Sequence, residues 1–276
     1  MNAKHIESKF AAMGARLEVR EIASRWQLGD RKWIDPVDYA VDIRRDGDGE
    51  FFELRMPTHL SETVETTVLQ CEPKQRHLLL LIRKPGEAPQ LDRFLCGHDE
   101  REWFVAAVPG GASSVRQAMD ALQPGDVRVA LARHHVSSRK RYERKNRAFR
   151  RQGEWFFVPE PALVVDEQLV LRNEPLRRGG GKPHLVEQLY RTGGETVHVC
   201  AKHPNGILDK DYRELVRVNP KAAHWAWRVM RRNPGVYARG TVHHSDHATI
   251  TLPVWHRVVM NTETQSRTMA NVAFLD

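Results

Sequence analysis

The fold of this chain is indicated first by residues 39–56, which read YAVDIRRDGDGEFFELRM. Apolar and polar side chains alternate over Tyr39–Ile43 and again over Phe52–Met56, and the intervening Arg45–Gly49 is rich in Asp and Gly. Alternation with a period of two is typical of a half-buried strand, and an Asp/Gly turn between two such runs is typical of a β-hairpin. This stretch therefore predicts two antiparallel strands.

Similar patterns extend outward from this hairpin as far as residue 132. The spacing of apolar residues predicts helices at Lys4–Met13, Ser114–Leu122 and Val127–His134. Alternating or continuous apolar runs predict further strands at Thr66–Cys71, His77–Ile82, Arg93–Cys96 and Trp103–Val108. We predict that residues 1–132 form an α+β domain with a mostly antiparallel sheet.

Residues 133–151 carry an unusual share of the positive charge. This segment holds nine Lys or Arg and one acid, Glu143, so its net charge of +8 equals the formal net charge of all 276 residues. Residues 1–132 have a net charge of −3, and residues 152–276 have a net charge of +3. A localised basic run is typical of proteins that bind nucleic acid, and it also suits an acidic protein partner.

We expect this basic segment, residues 133–151, to be a helix or a helical linker between two domains. Ser137 or Ser138 can cap such a helix, and Glu143 and Arg147 have the i,i+4 spacing of a helical ion pair. The segment also lies where the composition changes, which is the expected position of a domain boundary.

A second cationic element is the loop at 177–182, in which three successive glycines lie between basic residues. Glycines let backbone N–H groups approach a phosphate, although the spacing does not match a Walker A loop. The residues predicted to contact the phosphates of RNA or DNA are Arg139, Lys140, Arg141, Arg144, Lys145, Arg147, Arg150, Arg151, Arg177, Arg178 and Lys182.

Residues 152–276 are predicted to form a β-rich domain with a helical insertion, which gives an α+β class for the whole chain. Strands are indicated at Trp155–Val158, Leu169–Leu171, Thr196–Cys200, Tyr237–Val242, Thr249–Leu252 and Trp255–Met260. The insertion spans about 209–232, with Asp209 as its expected N-cap and Pro234 just beyond its end.

The composition limits the classes of protein to consider. A hydrophobic content of 41% and a charged content of 28% are typical of a globular chain, and no stretch approaches the ~20 apolar residues of a membrane span. The three cysteines are widely spaced and form no CxxC pair, which argues against a disulfide framework and a zinc ribbon. With a charged N-terminus that has no signal-peptide core, we expect a cytoplasmic protein without a membrane partner.

The sequence Val242–His247 contains the strongest candidate site. Its three histidines and one aspartate include His244, Asp246 and His247. In an extended strand His244 and His247 would face opposite ways, but in a turn they can converge. Imidazoles with a carboxylate suit Zn²⁺ or another divalent transition metal, and they also suit a general base with an orienting carboxylate. The alternative is a polar hairpin turn with solvated histidines.

Other clusters give weaker signals. His198 and Cys200 share a strand face and His203 follows them, which is the spacing of a metal half-site, but a half-buried strand explains the pattern better. The turn at Cys96–Arg101 combines a thiol, an imidazole and carboxylates, yet a charged hairpin tip is the simpler interpretation. Trp225–Arg228 mixes aromatic and basic side chains that suit base stacking or a core.

Short motifs in the second half resemble a family of small bacterial and phage β-rich proteins whose activity is uncharacterised. The matching elements are Gln152–Glu154, Gly181–His184, His244–His247 and Glu263, so the resemblance covers about 152–263 without the insertion. The chain departs from the family pattern in having Glu154 in place of Asp, a shorter final turn and the added helix. The resemblance implies a shared site that contains His184 together with His244, Asp246 and His247, but it implies no reaction.

Three functions remain open from the sequence. The first is a metal-dependent phosphodiester hydrolase of nucleic acid that uses His184, His244, Asp246 and His247, or an RNA-cleaving histidine pair without metal. The second is a non-catalytic binding or scaffold subunit that docks on nucleic acid or an acidic protein through its basic helix. The third is a peptidase-like hydrolase with a distant nucleophile, for which Cys200 is the first candidate.

Overall fold

The structure is a computed structural model that describes residues 3–23, 25–27, 32–34, 38–100, 102–177 and 182–265. Its helices are α1 (Ala3–Ala12), α2 (Val115–Ala121), α3 (Gly125–Arg133) and α4 (Asp209–Val218). The strands before α2 are β1 (Leu17–Ile22), β2 (Arg25–Gln27), β3 (Lys32–Ile34), β4 (Ala40–Asp46), β5 (Gly49–Pro57), β6 (Glu65–Glu72), β7 (His77–Lys84), β8 (Gln90–Asp99) and β9 (Glu102–Val108). The strands after α3 are β10 (Arg150–Gln152), β11 (Trp155–Pro159), β12 (Leu171–Leu176), β13 (His184–Thr192), β14 (Glu195–Cys200), β15 (His203–Leu208), β16 (Arg228–Arg232), β17 (Gly235–His243) and β18 (Ile250–Met260). The predicted α+β, β-rich class is confirmed.

The chain divides into two compact units: among the described residues, the first contains those up to Leu122 together with Gln265, and the second contains Gln123–Thr264. The division lies earlier than the boundary predicted at residue 132, so α3 belongs to the second unit. The reason is packing, because Val127 and Leu131 of α3 are buried against Phe149 and Phe156. No helix in the described part of the chain is long and apolar enough to cross a bilayer.

The first unit contains the hairpin predicted at residues 39–56. β4 and β5 pair antiparallel with Ile43 opposite Phe52, and β1 joins the other edge of β5 in a parallel pairing. β6, β7, β8 and β9 form a separate four-stranded antiparallel sheet. The predicted helix at Ser114–Leu122 is present as α2, which begins after a Ser114 side-chain cap and packs its buried Val115 and Ala118 against that sheet.

The basic segment 133–151 is not the helix that we predicted. After α3 the chain turns, with His135 in the left-handed region at φ 47°, and the rest of the segment consists of turns and bends up to β10. Successive like charges disfavour a helix, and the Asn146 carboxamide oxygen accepts the backbone N–H groups of Ala148 and Phe149 in a turn. Burial of Phe149 against Phe156 then favours this turn over a solvated helix.

The second unit is built on a six-stranded antiparallel sheet with the order β10-β11-β18-β17-β13-β12. Its core cluster includes Trp155, Val186, Leu189, Val242 and Leu252, each buried to 0% exposure. The two strands predicted at Thr249–Leu252 and Trp255–Met260 are one continuous strand, β18. β18 lies between β11 and β17 and pairs with both, so it joins the two halves of the sheet.

The insertion between β14 and β17 contains less helix than predicted. Helix α4 ends at Val218 because Asn219 precedes Pro220, and a residue before proline is disfavoured in the helical region. The end of the predicted 209–232 helix is instead β16, which joins β14 and β15 in a three-stranded antiparallel sheet. Asp209 is the first residue of α4, and its side chain makes no cap but pairs with His198 and Arg213.

Candidate metal centre

Strand pairing brings together histidines that are far apart in the sequence. His184 is the first residue of β13, and its neighbour Leu185 pairs with His243, the last residue of β17. His244 and His247 lie in the loop that joins β17 to β18. All three imidazoles therefore meet at one end of the six-stranded sheet, and the sequence-predicted set of His184, His244 and His247 is a single cluster.

The three rings are stacked and closely spaced. The ring centroids of His184 and His244 are 4.1 Å apart, and those of His244 and His247 are 4.7 Å apart. The potential metal-ligating nitrogens, one from each residue, all lie within 4.8 Å of one another. We call this set, His184, His244 and His247, the histidine cluster.

The histidine cluster is largely removed from solvent. His184 is 2% exposed and His244 is 7% exposed, and neither ring nitrogen of His184 has a hydrogen-bond partner among the described residues. A buried polar atom without a partner typically costs about 1–3 kcal/mol. Burial, together with repulsion from His244 and His247, lowers the pKa of His184 to about 3, so this imidazole is neutral and retains the lone pair that a metal needs.

Gly153 lies directly against the cluster, in the turn between β10 and β11. A Cβ at this position would lie 3.0 Å from Nε2 of His247 and 3.3 Å from Nε2 of His184. Its φ of 58° is in the left-handed region, which glycine adopts without a steric penalty. The missing side chain therefore leaves a space beside both Nε2 atoms open. We did not assign Gly153 to the site from sequence, although the Gln-Gly turn between two short strands was a usable signal.

Gln152 fixes the loop that carries His244 and His247. Its buried side-chain amide donates to the carbonyl oxygens of Val242, at 3.3 Å, and Ala248, at 2.8 Å, on the two sides of the loop. These bonds hold both ends of the loop against β10. The turn containing Gly153 and the histidine loop are thus positioned by the same residue, Gln152.

Asp246 lies beside the histidine cluster and forms an ion pair. Its two carboxylate oxygens accept from Nζ of Lys182 at 2.6 and 2.8 Å, and one of them is 4.0 Å from Nδ1 of His244. Burial acts to raise the pKa of Asp246, but the hydrogen bonds from Lys182 and Ser245 outweigh it and lower the pKa. The backbone N–H of Asp246 also donates to Nδ1 of His244 at 3.2 Å. Asp246 is therefore an ionised neighbour of the cluster, and Lys182 contacts this carboxylate.

The geometry of the cluster suits a small divalent ion after a modest contraction. Zn–N bonds of about 2.0–2.1 Å in tetrahedral geometry place ligand nitrogens about 3.3 Å apart. The nitrogens here lie within 4.8 Å, so side-chain movements of about 1 Å bring them into range. Three histidine ligands with a fourth position left open form a typical catalytic zinc site.

The predicted phosphate-contacting residues are distributed differently from the histidines. Arg139, Lys140, Lys145, Arg147 and Arg177 are exposed, whereas four others are half-buried: Arg141, Arg144, Arg150 and Arg151. Lys182 is exposed and pairs with Asp246. Arg178 and the glycines of its loop lie outside the described residues.

A second group of histidines lies in the three-stranded sheet. His198 is bonded through Nε2 to Asp209 at 3.0 Å and stacks on Tyr212 at 4.1 Å, and His203 stacks near Trp225 and Trp227. Each ring has an aromatic neighbour, and no metal-sized group forms there among the residues that the structure describes. His198 and Cys200 lie on β14, and His203 is the first residue of β15.

The cysteines show no link to the histidine cluster. Cys96 is buried in β8, where burial raises the pKa of its thiol above the ordinary value, and the nearby His98 packs against Trp103. Cys200 is buried in β14, in a different sheet from the cluster. The structure therefore adds nothing in favour of a cysteine nucleophile.

Comparisons of this chain with protein-family models, with curated proteins and with solved structures found no match. The resemblance described from the short motifs therefore stays a prediction. The site must be interpreted from its own geometry.

Proposed function

We propose that the second unit is a metal-dependent phosphodiester hydrolase that acts on nucleic acid, with His184, His244 and His247 as ligands of a divalent transition ion such as Zn²⁺. One observation carries this proposal. Three histidines from two separate segments converge within 4.8 Å, and the most buried of them, His184, has no hydrogen-bond partner for either ring nitrogen among the described residues. Bound metal would give His184 the partner that it lacks.

The neighbouring residues have roles that fit hydrolysis. A divalent ion held by the three histidines would supply an activated water at neutral pH and would polarise a phosphoryl oxygen. We assign to Asp246, which is ionised and 4.0 Å from His244, the role of orienting that water or accepting its proton, with Lys182 holding the carboxylate. Gly153 keeps the approach to the ligand nitrogens open because it has no side chain.

Nucleic acid is favoured as the substrate because the basic segment, residues 133–151, leads directly into the site. β10 begins at Arg150 and ends at Gln152, which contacts the loop of the cluster, and Gly153 follows. Arg139, Lys140, Lys145 and Arg147 are exposed and have no carboxylate partner within the described ranges. Such cations are available for phosphates of a chain whose scissile bond lies at the cluster.

A non-catalytic binding function is the second candidate, and the same four exposed cations favour it. Binding through backbone phosphates does not require the histidine cluster at all. In both functions the affinity for nucleic acid should fall steeply with salt, because neutralised phosphates release counterions. The salt dependence of the affinity therefore tests whether nucleic acid is the partner, and the histidine variants test whether the protein hydrolyses it.

The deciding experiment combines elemental analysis with a phosphodiesterase assay. Protein purified without added metal, and protein reloaded with Zn²⁺ or Mn²⁺, is tested on single-stranded DNA and RNA oligonucleotides. We expect about one ion per chain and a metal-dependent rate that falls at least 100-fold in His244→Asn, since loss of outer-shell partners alone typically costs about 10–100-fold.

His203→Asn is the matched control, because it removes a stacked histidine of the same unit outside the cluster. It should keep both metal and activity. Absence of bound metal from the reloaded wild type would refute the metal centre. Bound metal without hydrolysis of either oligonucleotide would refute the hydrolase and leave a metal-containing binding protein.

A further inference from the structure

The second unit has an open pocket at the end of β13 that is opposite to the histidine cluster. Its volume is about 520 Å³, and it lies between the β13–β14 turn and β16. Ligand pockets typically occupy about 300–1,000 Å³, so the space suits a small molecule or one segment of a chain. Three arginines, Arg191, Arg228 and Arg231, line it, and none of its lining residues is acidic.

These arginines have unused hydrogen-bonding capacity. Nε of Arg191 is buried without an acceptor in the described structure, and Nη1 of the same side chain is 3.8 Å from a Glu174 oxygen, which is a long ion pair. Arg231 makes a weak bond of 3.4 Å to the carbonyl oxygen of Gly194. Arg228 has no carboxylate within 4.0 Å among the residues described, so the positive charge of the pocket is largely uncompensated.

The backbone around the pocket is fixed by close packing. Gly193 and Gly194 have φ values of 68° and 79°, and a Cβ at Gly194 would lie 2.9 Å from the carbonyl oxygen of Arg232. The β13–β14 turn therefore packs tightly against the end of β16. This contact holds Arg191 on one wall of the pocket and Arg231 on the other.

The pocket wall that carries Arg191 continues the hydrophobic core. Leu189 is fully buried, and Arg191, two residues further along β13, lies on the same face of the strand. A guanidinium at the margin of an apolar core interacts more strongly with an anion than one in open solvent. Arg228 and Arg231 are three residues apart on β16, so their exposed side chains flank the pocket from the two faces of that strand.

We infer that this pocket is a phosphate-binding site. Guanidinium groups are planar forks that match two phosphate oxygens at once, and three of them around one pocket suit a phosphate ester rather than a neutral ligand. The inference does not depend on the metal centre, because His184 and Arg191 are seven residues apart on one strand, or about 23 Å at about 3.3 Å per residue. The phosphate belongs either to a free ligand or to a nucleic-acid strand, and the titrations below distinguish the two.

Calorimetric titration of the intact protein tests this site with three probes: inorganic phosphate, adenosine monophosphate and a ten-nucleotide single-stranded DNA. We expect the Arg228→Gln/Arg231→Gln double variant to bind the best of these probes at least tenfold more weakly than the wild type. Both side chains are exposed, so the double variant should fold; Arg191→Gln, which acts on the buried wall, is the second variant. Arg217→Gln, in which an exposed arginine of α4 is replaced, is the control and should stay within about twofold.

The pattern of binding identifies the source of the phosphate. Tight binding of phosphate or the mononucleotide, lost in the double variant, supports a free phosphate ester. Binding of the oligonucleotide alone, weakened in the double variant, supports a phosphodiester strand. The inference is overturned if the wild type binds none of the probes, or if both arginine variants bind as tightly as Arg217→Gln. The titrations are made with EDTA present, so that the histidine cluster holds no metal; a loss of phosphate or mononucleotide binding in the double variant under these conditions separates this site from the metal centre.

Discussion

The histidine cluster and the aromatic group around His198 and His203 use the same residue type in the same unit but differ in the partners of their rings. In the aromatic group His198 is bonded to Asp209 and His203 stacks near two tryptophans. In the cluster the rings face one another, and His184 has two buried nitrogens without partners in the described structure. The difference shows that a candidate site is recognised by unmet bonding capacity rather than by the presence of histidine.

The largest effect expected from this difference is stabilisation by metal. At a free Zn²⁺ concentration about 1,000 times its Kd, the free energy of unfolding should rise by about 4 kcal/mol, because the ion binds only the folded protein. This gain should vanish in His184→Asn and persist in His198→Asn. Thermal unfolding with Zn²⁺ and with EDTA measures it for each protein.

The His198→Asn variant makes this test specific. It should lower stability by about 1 kcal/mol without metal, since it loses a hydrogen bond and a stacked ring, but its response to Zn²⁺ should equal that of the wild type. An equal loss of the Zn²⁺ response in both variants would mean that the two histidine groups do not differ in the way we describe.

A smaller effect is expected from filling the space in front of the cluster. Gly153→Ala should weaken metal affinity about tenfold or more, because the new Cβ lies 3.0 Å from Nε2 of His247 and the ring must move. Gly110→Ala is the control, since Gly110 also has a positive φ, of 77°, but open space around its Cβ position. Competition with a coloured zinc chelator gives both affinities.

Both glycine variants should lose a similar 1–2 kcal/mol of stability from backbone strain, on the order of the left-handed penalty for an L-residue. Only Gly153→Ala should change the metal affinity. If Gly110→Ala weakens metal binding equally, the effect comes from global destabilisation. The proposal that Gly153 keeps the space beside the cluster open would then be wrong.

Sequence reasoning predicted the fold best where the pattern is local. The hairpin at 39–56 follows from alternation and an Asp/Gly turn, and both features are visible within a single window. Arg228–Arg232, by contrast, lacks alternating polarity, so its strand character depends on pairing with β14. The basic segment shows the same limit, because its helical spacing was overridden by burial of Phe149.

The sequence pointed to the three histidines of the cluster but not to their arrangement. The motif at residues 244–247 contains His244 and His247, whereas His184 was included only through the resemblance. The closeness of His184 to the other two histidines depends on the pairing of β13 with β17. Lys182, which was predicted to contact phosphate, pairs with Asp246, and this contact joins two loops more than 60 residues apart. Long-range pairing of this kind leaves no periodic trace in a single sequence.

The smallest predicted effect concerns His256, a buried histidine outside the histidine cluster. It tests what burial does to an imidazole that does not belong to the cluster. His256 is 2% exposed; burial lowers its pKa, a nearby Arg150 lowers it further, and the bond from its Nδ1 to the Val254 carbonyl acts in the opposite direction. With the folded pKa below the unfolded value of about 6.5, the unfolded chain takes up this proton first as the pH falls. The stabilising contribution is therefore complete above about pH 6.5 and declines below it.

We expect His256→Gln to lose less stability than the wild type between pH 7 and pH 5, with a difference in slope of at most about 1.4 kcal/mol per pH unit for one proton. Urea unfolding at several pH values, with EDTA present, measures it. Gln retains an amide donor for the Val254 carbonyl but cannot take up a proton, so it changes the titration more than the packing. Identical pH profiles would show that burial of an imidazole alone has no measurable linkage here. In that case the cluster's distinguishing property, three converging rings, would have to be tested by metal binding only.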